Sequence, residues 1–509
     1  MERDRALSLA RTRRAFLSAG LIGLTAKAGR RIEGGFFDDG LPMGHKIRDR
    51  AGFGRPGHRE RVPVVIIGGG MAGLCAAWRL AKKGFRDFVV LELEPQPGGN
   101  SRSGRSEATP YPWAAHYVPV PNRESVLVRE MLEEFAVMSS GKVDERFLCF
   151  EPQERLFMYG RWQEGLEPQI GLLSKERDQF RRLAELIAEQ RATGQFTIPL
   201  ETGVRPSPLD SITMSAWLDQ QRLDSPHLRW FVDYACRDDY GAHSSDTSAW
   251  AGIHYFASRE HEDKGPITWP EGNGWLVGKL MERVGGNVRA SSPVFRVQRS
   301  NTRFRVLTES VEYDCEVVIF AAPTFLAQYL IEDAPAANGF VYSPWVTANI
   351  VLDRMPRERG FEAAWDNVIY KSPALGYVVA THMSLRTRIE RTVWTWYWAM
   401  ADGSPAENRK AMLSRDWQWF AEYILRDLER AHPDIRECVS RIDVLRIGHA
   451  MARPVPGFLA SPERKRWKEP SPNSRILYAN SDLSGISIFE EAQFRGVTAA
   501  DRAMRLIGR

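Results

Sequence analysis

At 509 residues the chain exceeds what one ordinary hydrophobic core organises, so two intertwined domains are expected. Its 43% apolar and 26% charged residues exclude a disordered or fibrous chain. Of the formal net charge of +5, residues 1–28 supply +4 (Arg3, Arg5, Arg11, Arg13, Arg14 and Lys27 against Glu2 and Asp4), so the body is nearly neutral and nucleic acid is a poor partner. The five cysteines (Cys75, Cys149, Cys236, Cys315, Cys438) form no CxxC and no Cys/His pair at metal spacing, which argues against both a disulfide framework and a metal site.

In chain order, the first element is an address. Thr12-Arg13-Arg14-Ala15-Phe16-Leu17 leads into an uncharged stretch from Phe16 to Ala26 and then Ala26-Lys27-Ala28. A basic start, a short apolar run and small residues at a cleavage site make a signal peptide, too short to span a bilayer. The arginine pair before x-Phe-Leu resembles the twin-arginine signal, which implies that the export machinery of that route is a partner and that the protein is exported to the periplasm or beyond. No later segment is apolar for long enough to cross a membrane as a helix. Residues 29–61, rich in Gly, Arg and Asp and without apolar periodicity, read as a linker or an N-terminal arm.

Val62 to Ile67 is the apolar, β-branched run of a buried parallel strand. It feeds Gly68-Gly69-Gly70-Met71-Ala72-Gly73, a GxGxxG turn in which Gly68 makes the turn, Gly70 lets a pyrophosphate approach the backbone and Gly73 lets helix pack on strand. A helix from about Ala72 to Lys83 aims its N-terminal amides, with Met71 and Ala72, at the diphosphate. A second strand, Phe88 to Leu91, ends at Glu92, nineteen residues after Gly73, where a carboxylate can accept adenosine ribose hydroxyls; Glu94 is the rival acid. This unit serves FAD and NAD alike.

The choice rests on the sequel. Pro97-Gly98-Gly99-Asn100-Ser101-Arg102 places a glycine pair six residues after Glu92 and resembles the second motif of the flavin amine oxidase, phytoene desaturase and protoporphyrinogen oxidase superfamily. The resemblance continues through Trp269-Pro270-Glu271-Gly272-Asn273-Gly274, Pro293-Val294, Phe320-Ala321-Ala322-Pro323, Tyr478-Ala479-Asn480-Ser481-Asp482 and Glu490-Glu491-Ala492. It implies FAD as cofactor, with Gly98, Gly99, Asn100 and Arg102 over its diphosphate, Val294 at the adenine, Asp482 on a ribityl hydroxyl and Glu491 beside the flavin ring. Asn100 stands where relatives carry arginine, Asn480 and Glu491 where they carry glycine.

The resemblance further implies an α/β fold: a Rossmann-like FAD-binding domain built from 62–120, 266–334 and 451–509, with an inserted mixed α+β substrate domain from 121–265 and 335–450. Helical periodicity marks Leu127–Met138 and Lys175–Arg191. Trp394, Trp396 and Trp398 alternate along one strand face, where they either roof the cavity over the flavin or cover helices in the core. Three candidates for catalysis stand out: His116 after the glycine-pair loop, His449 before Pro454, and Asn349, which aligns where many amine oxidases of the superfamily carry a lysine. Asp238, Asp239, Tyr240 and His243 form a polar cluster that either binds a cation or ends a helix. The expected function is FAD-dependent oxidation of a small amine, with O2 or another molecule accepting the electrons. A desaturase or isomerase of an apolar polyene, and a non-catalytic flavin carrier, are the alternatives.

Overall fold

The computed structural model describes residues 31–509 apart from 39, 204–206, 261–264 and 386–387. The twin-arginine segment therefore lies outside the described residues. Sheets of eight, five and four strands, three two-stranded sheets and the helices make up the described chain.

The first sheet is five-stranded and wholly parallel, in the order 288–289, 88–91, 64–67, 317–320, 476–478. Its central strand, Val64–Ile67, is buried along its whole length because both faces are covered, which is why it reads as an unbroken β-branched run. The helix Met71–Lys82 follows directly, and the C-terminal helix Phe489–Leu506 packs along it. Two glycines set that closeness. A Cβ at Gly496 would lie 2.1 Å from the Ala72 carbonyl oxygen, and one at Gly73 would lie 1.9 Å from that of Gly68. The strands that converge on one crevice thus come from residues 64 to 478 of the chain, so the Rossmann-like unit is closed by its own C-terminus.

The second sheet has eight strands in the order 33–36, 439–452, 342–352, 392–399, 376–379, 366–369, 154–158, 161–164. The helix Trp417–Glu429 covers one face. Trp394, Trp396 and Trp398 point to that side, packed among Phe420, Ile424 and Leu428, with the Trp396 indole donating to Asp427 (3.0 Å). Of the two roles open to the tryptophan row, the structure assigns the core. The opposite face, bearing Thr347 and Tyr397 as register partners, looks toward the crevice. Helices Ser174–Ala192, Met214–Gln220, Pro226–Tyr240 and Ala249–Ala257 form the helical part of this region around their own core.

The segment expected as linker or arm takes part in both regions. Glu33–Phe36 pairs in parallel with residues 441–444 at the edge of the eight-stranded sheet, and His58–Arg61 pairs with 311–314 at the edge of a separate four-stranded sheet. Neither strand shows apolar alternation, because each is held by backbone pairing to an existing edge rather than by a buried face. All five cysteines are buried free thiols. Among the described residues no helix is long and apolar enough to cross a membrane.

Candidate active site

Three cavities adjoin in a row. The first is a cleft of about 420 Å³ at the carboxyl end of strand 64–67, where open α/β sheets bind nucleotides. Gly70, Met71, Ala72, Gly98, Gly99, Asn100, Arg102 and Asp482 all line it. The two glycine motifs touch: the Gly98 amide donates to the Gly69 carbonyl (2.8 Å), and a Cβ at Gly99 would lie 3.3 Å from the Gly70 Cα. Gly98 and Gly99 sit at φ +126° and +56°, so the loop depends on glycine twice over. Arg102 is fixed over the cleft by the Gly99 carbonyl (3.1 Å) and by Glu94 (3.4 Å).

The two candidate ribose acids occupy different layers. Glu94 lines the cleft. Glu92 lies behind it, 7% exposed, its carboxylate accepting from the Gly69 amide (2.5 Å) and the Glu94 amide (2.8 Å). Burial raises the Glu92 pKa, and the two amides counter part of that rise. Glu92 therefore holds the glycine turn in shape. Val294 is buried in the core beneath the sheet and does not line the cleft. Asp482 accepts from the Tyr342 hydroxyl (2.7 Å) and the Thr324 amide (2.8 Å), while Asn480 spans to the Ala322 carbonyl (2.9 Å).

Glu491 corrects an expectation. It is fully buried and accepts from the Leu200 amide, away from the cleft. On a helix, residues three apart share a face, so Phe489 and Ala492 line the cleft and Glu491 points elsewhere. Glu490 faces the second cavity, ion-paired to Arg259.

That second cavity, about 400 Å³, shares Asn100, Ala115, Asn273, Ala450, Ser487 and Phe489 with the cleft. The third, about 320 Å³, shares His116, Tyr117, Asp238, Tyr255, Arg259 and Tyr397 with the second. The chain thus places a side-chain-lined chamber directly against the nucleotide cleft. Tyr234 and Trp365 complete the aromatic wall of its far end, and the rings of Tyr117 and Trp365 meet at 89°.

The catalytic candidates divide among these spaces. His116 lines both chamber compartments, among Tyr117, Trp365 and Tyr397, with Nδ1 on the Ala114 carbonyl (3.2 Å). Burial lowers its pKa to about 4, so the ring is neutral at ordinary pH. His449 lies in the nucleotide cleft, stacked on Phe325 at 4.0 Å, and is also lowered to about 4 by burial and then by Arg409. Asn349 reaches neither space. It is wholly buried and accepts from the Thr395 hydroxyl (2.8 Å), whereas Thr347, one pleat along the same strand face, lines the chamber. Among the described residues no lysine lines the cleft or the chamber.

The polar cluster at the end of helix Pro226–Tyr240 splits as well. Asp238 and Asp239 line the chamber. Tyr240 turns to the Ala251 carbonyl (2.8 Å), and His243 pairs with Asp233 (3.0 Å) and Asp402 (2.9 Å), closing the helix end. Burial, then Asp239 and Glu154, raises Asp238 to about 7; burial raises Asp239 to about 6. Glu154 and Asp366 join them, residues that sequence reasoning passed over because each is a lone acid at the start of a strand.

Comparison with known proteins agrees with this architecture. The NAD(P)-binding Rossmann-like domain profile matches residues 66–135. A chloroplastic protoporphyrinogen oxidase of Oryza sativa subsp. japonica is 41% identical over 59 residues, a match spanning 11% of each chain. Among solved structures, wild-type putrescine oxidase bound to putrescine superposes with a TM-score of 0.66 at 16% identity, covering 89% of this chain and 100% of the other. Cyclohexylamine oxidase from Brevibacterium oxydans IH-35A does so with a TM-score of 0.66 at 14% identity, covering 88% and 100%. The chain has the fold of these two amine oxidases, built on a NAD(P)-binding Rossmann-like unit.

Proposed function

We propose that the protein is an FAD-dependent oxidoreductase that oxidises an amine. The observation that carries this reading is the chamber: six carboxylates line it, Glu154, Asp238, Asp239, Glu260, Asp366 and Glu490, several of them among tyrosines, and it opens onto the nucleotide cleft. A desaturase of an apolar substrate would need a tunnel free of such groups, because an unpaired buried charge opposes an apolar ligand.

The residues present fit FAD. Gly70 and Gly99 would leave room for a diphosphate, with Arg102 to hold it, Glu94 to accept from a ribose and Asp482 to accept from a ribityl hydroxyl. At the boundary of cleft and chamber, the buried Asn273 Oδ1 and Ser487 Oγ have no hydrogen-bond partner among the described residues, as groups would that meet a polar ring edge. When bound there, FAD supplies the acceptor for a hydride equivalent from the C–H beside the substrate nitrogen. The protein's part is orientation and charge. Ionised carboxylates draw the cationic amine in from water, and the neutral His116 with the wall of Tyr117 and Tyr397 confines its reacting end. The amine must shed its proton before it reacts, so turnover rises with pH toward the amine's own pKa. Without a lysine at the chamber, we expect an artificial quinone or dye to accept the electrons faster than O2. The same reading takes residues 1–28 as an address for export of the folded, cofactor-loaded protein.

The test is product analysis with a dye acceptor. Each amine consumed should yield one aldehyde, one ammonia and one reduced dye, with water as co-reactant, and heat-released cofactor should be FAD. Absence of aldehyde across a broad amine panel overturns the reading.

A further inference from the structure

The arm that precedes the first nucleotide-binding strand has no part in the contiguous glycine motif, yet it reaches the nucleotide cleft. Asp38, Gly40 and Leu41 line that cleft together with the two glycine loops. Gly40 lies so near Glu94 that a Cβ there would fall 2.1 Å from its Oε1 and 2.7 Å from the Leu93 Cδ2. The arm is therefore packed against the very acid that a ribose would meet.

Its hold on the body is uneven. Upstream, Glu33–Phe36 joins a sheet edge with its side chains exposed or half-buried, and the Phe37 amide donates to the Val444 carbonyl (2.9 Å). Asp38 then accepts from two nitrogens of the Arg446 guanidinium (2.9 and 2.7 Å), which itself lies over the Phe36 ring at 3.7 Å. That pair also neutralises an acid that would otherwise repel a diphosphate in the same cleft. Downstream, the helix Leu41–Arg48 buries Ile47 in the same core as Leu91 and Val294, and Phe53 stacks on Phe295 at 4.4 Å. One end of the arm is thus fixed by a core contact, the other by edge pairing and one ion pair. Segments held by few buried apolar contacts open most readily, so a ligand touching this stretch can decide whether it stays docked.

Resting on FAD in the cleft, and not on the identity of the substrate, we infer that the arm is a wall of the cofactor site. Asp38, Gly40 and Leu41, positioned by Arg446, contact bound FAD beside Glu94 and set how fast it leaves. The coupling is reciprocal: the factor by which the docked arm tightens FAD is the factor by which FAD favours docking.

The experiment uses the full chain, with and without FAD. Hydrogen exchange over residues 40–48 should slow on FAD binding, while His58–Arg61, paired to the separate four-stranded sheet, changes little. Gly40→Val, whose side chain cannot fit against Glu94 and Leu93, should weaken FAD about tenfold, roughly 1.4 kcal/mol, through faster release on dilution, read from free-flavin fluorescence. Leu41→Ala, which removes no hydrogen bond, is the safer variant for folding and should speed release several-fold with the apoprotein's unfolding temperature unchanged. Gly44→Ala, on the same helix with open space around it, should release FAD at the wild-type rate. Wild-type release from both Gly40→Val and Leu41→Ala, or exchange at 40–48 that ignores FAD, overturns the arm's role while leaving FAD in the cleft. Colourless wild-type protein overturns the arm's role and the FAD reading together.

Discussion

The nucleotide cleft and the chamber differ in how they are built. The cleft is made from backbone: glycines whose missing side chains let two loops and two helices close to contact distance. The chamber is made from side chains, carried to one place by the strand starts at 154 and 366, the strand at 392–399, the end of the helix at 226–240 and the stretch around Arg259. A backbone site tolerates almost no substitution and is shared by all chemistries that use the same nucleotide. A side-chain site can be rewritten residue by residue, and so determines which substrate is used.

That contrast can be broken at its strongest point first. Gly73→Ala would drive a Cβ to within 1.9 Å of the Gly68 carbonyl, and no flexible neighbour can yield; we expect no soluble folded protein on expression. Gly70→Val should behave differently. A Cβ there meets nothing closer than the Gly99 Cα at 3.9 Å, so the chain folds, but the side chain occupies the diphosphate space and purified protein should be colourless. Wild-type flavin content in Gly70→Val would contradict the placement of the cofactor.

Next in size is Glu92→Ala, which removes the carboxylate that shapes the glycine turn. FAD affinity should fall by about 1.5–3 kcal/mol, the scale of hydrogen bonds to a charged group, measured by flavin release on dilution. On the sheet's far face, Trp396→Phe removes the bond to Asp427 and should lower the unfolding temperature while leaving KM for any substrate unchanged. A change in KM would return the tryptophans to the chamber.

The chamber also makes a prediction about pH. Asp238 and Asp239, raised to about 7 and about 6 from an ordinary 3.8, bind protons in the folded state that the unfolded chain has already released. Their contribution to stability therefore declines as pH rises from about 4 to about 7 and is level above that. A bound cation reverses the sign, favouring the ionised acids. Unfolding temperatures across this range, with and without a saturating amine, should diverge as pH rises, and Asp238→Asn should reduce the divergence. The smallest effect on the folded body is expected from Arg13→Lys with Arg14→Lys: unchanged flavin content and turnover, with the protein retained in the cytoplasm on fractionation.

The cleft was readable in the sequence because its parts are contiguous: strand, glycines, helix, strand and acid fall within about thirty residues, and each has one physical task. The fold class followed from the same unit together with the family resemblance carried by the motifs downstream of it. What escaped reading depended on phase or on distance along the chain. Glu491 was one helical residue out of phase with Phe489 and Ala492, and Asn349 one pleat away from Thr347. The Asp238–Asp239 pair was visible as a cluster, but its partners Glu154 and Asp366 lie over eighty and over a hundred residues away and become neighbours only through strand register. Edge strands such as Glu33–Phe36 carry no periodicity to find.

The central claim is that the chamber delivers an amine to a flavin in the cleft. Its most direct test mixes the FAD-loaded enzyme rapidly and anaerobically with amines, diamines, carbonyl compounds and apolar polyenes, following flavin absorbance near 450 nm (an approximate value for any flavin). We predict full bleaching by an amine, faster as pH rises toward 8–9, with reoxidation slower by O2 than by a dye. Bleaching by a carbonyl or apolar compound, with every amine inert, would contradict the account.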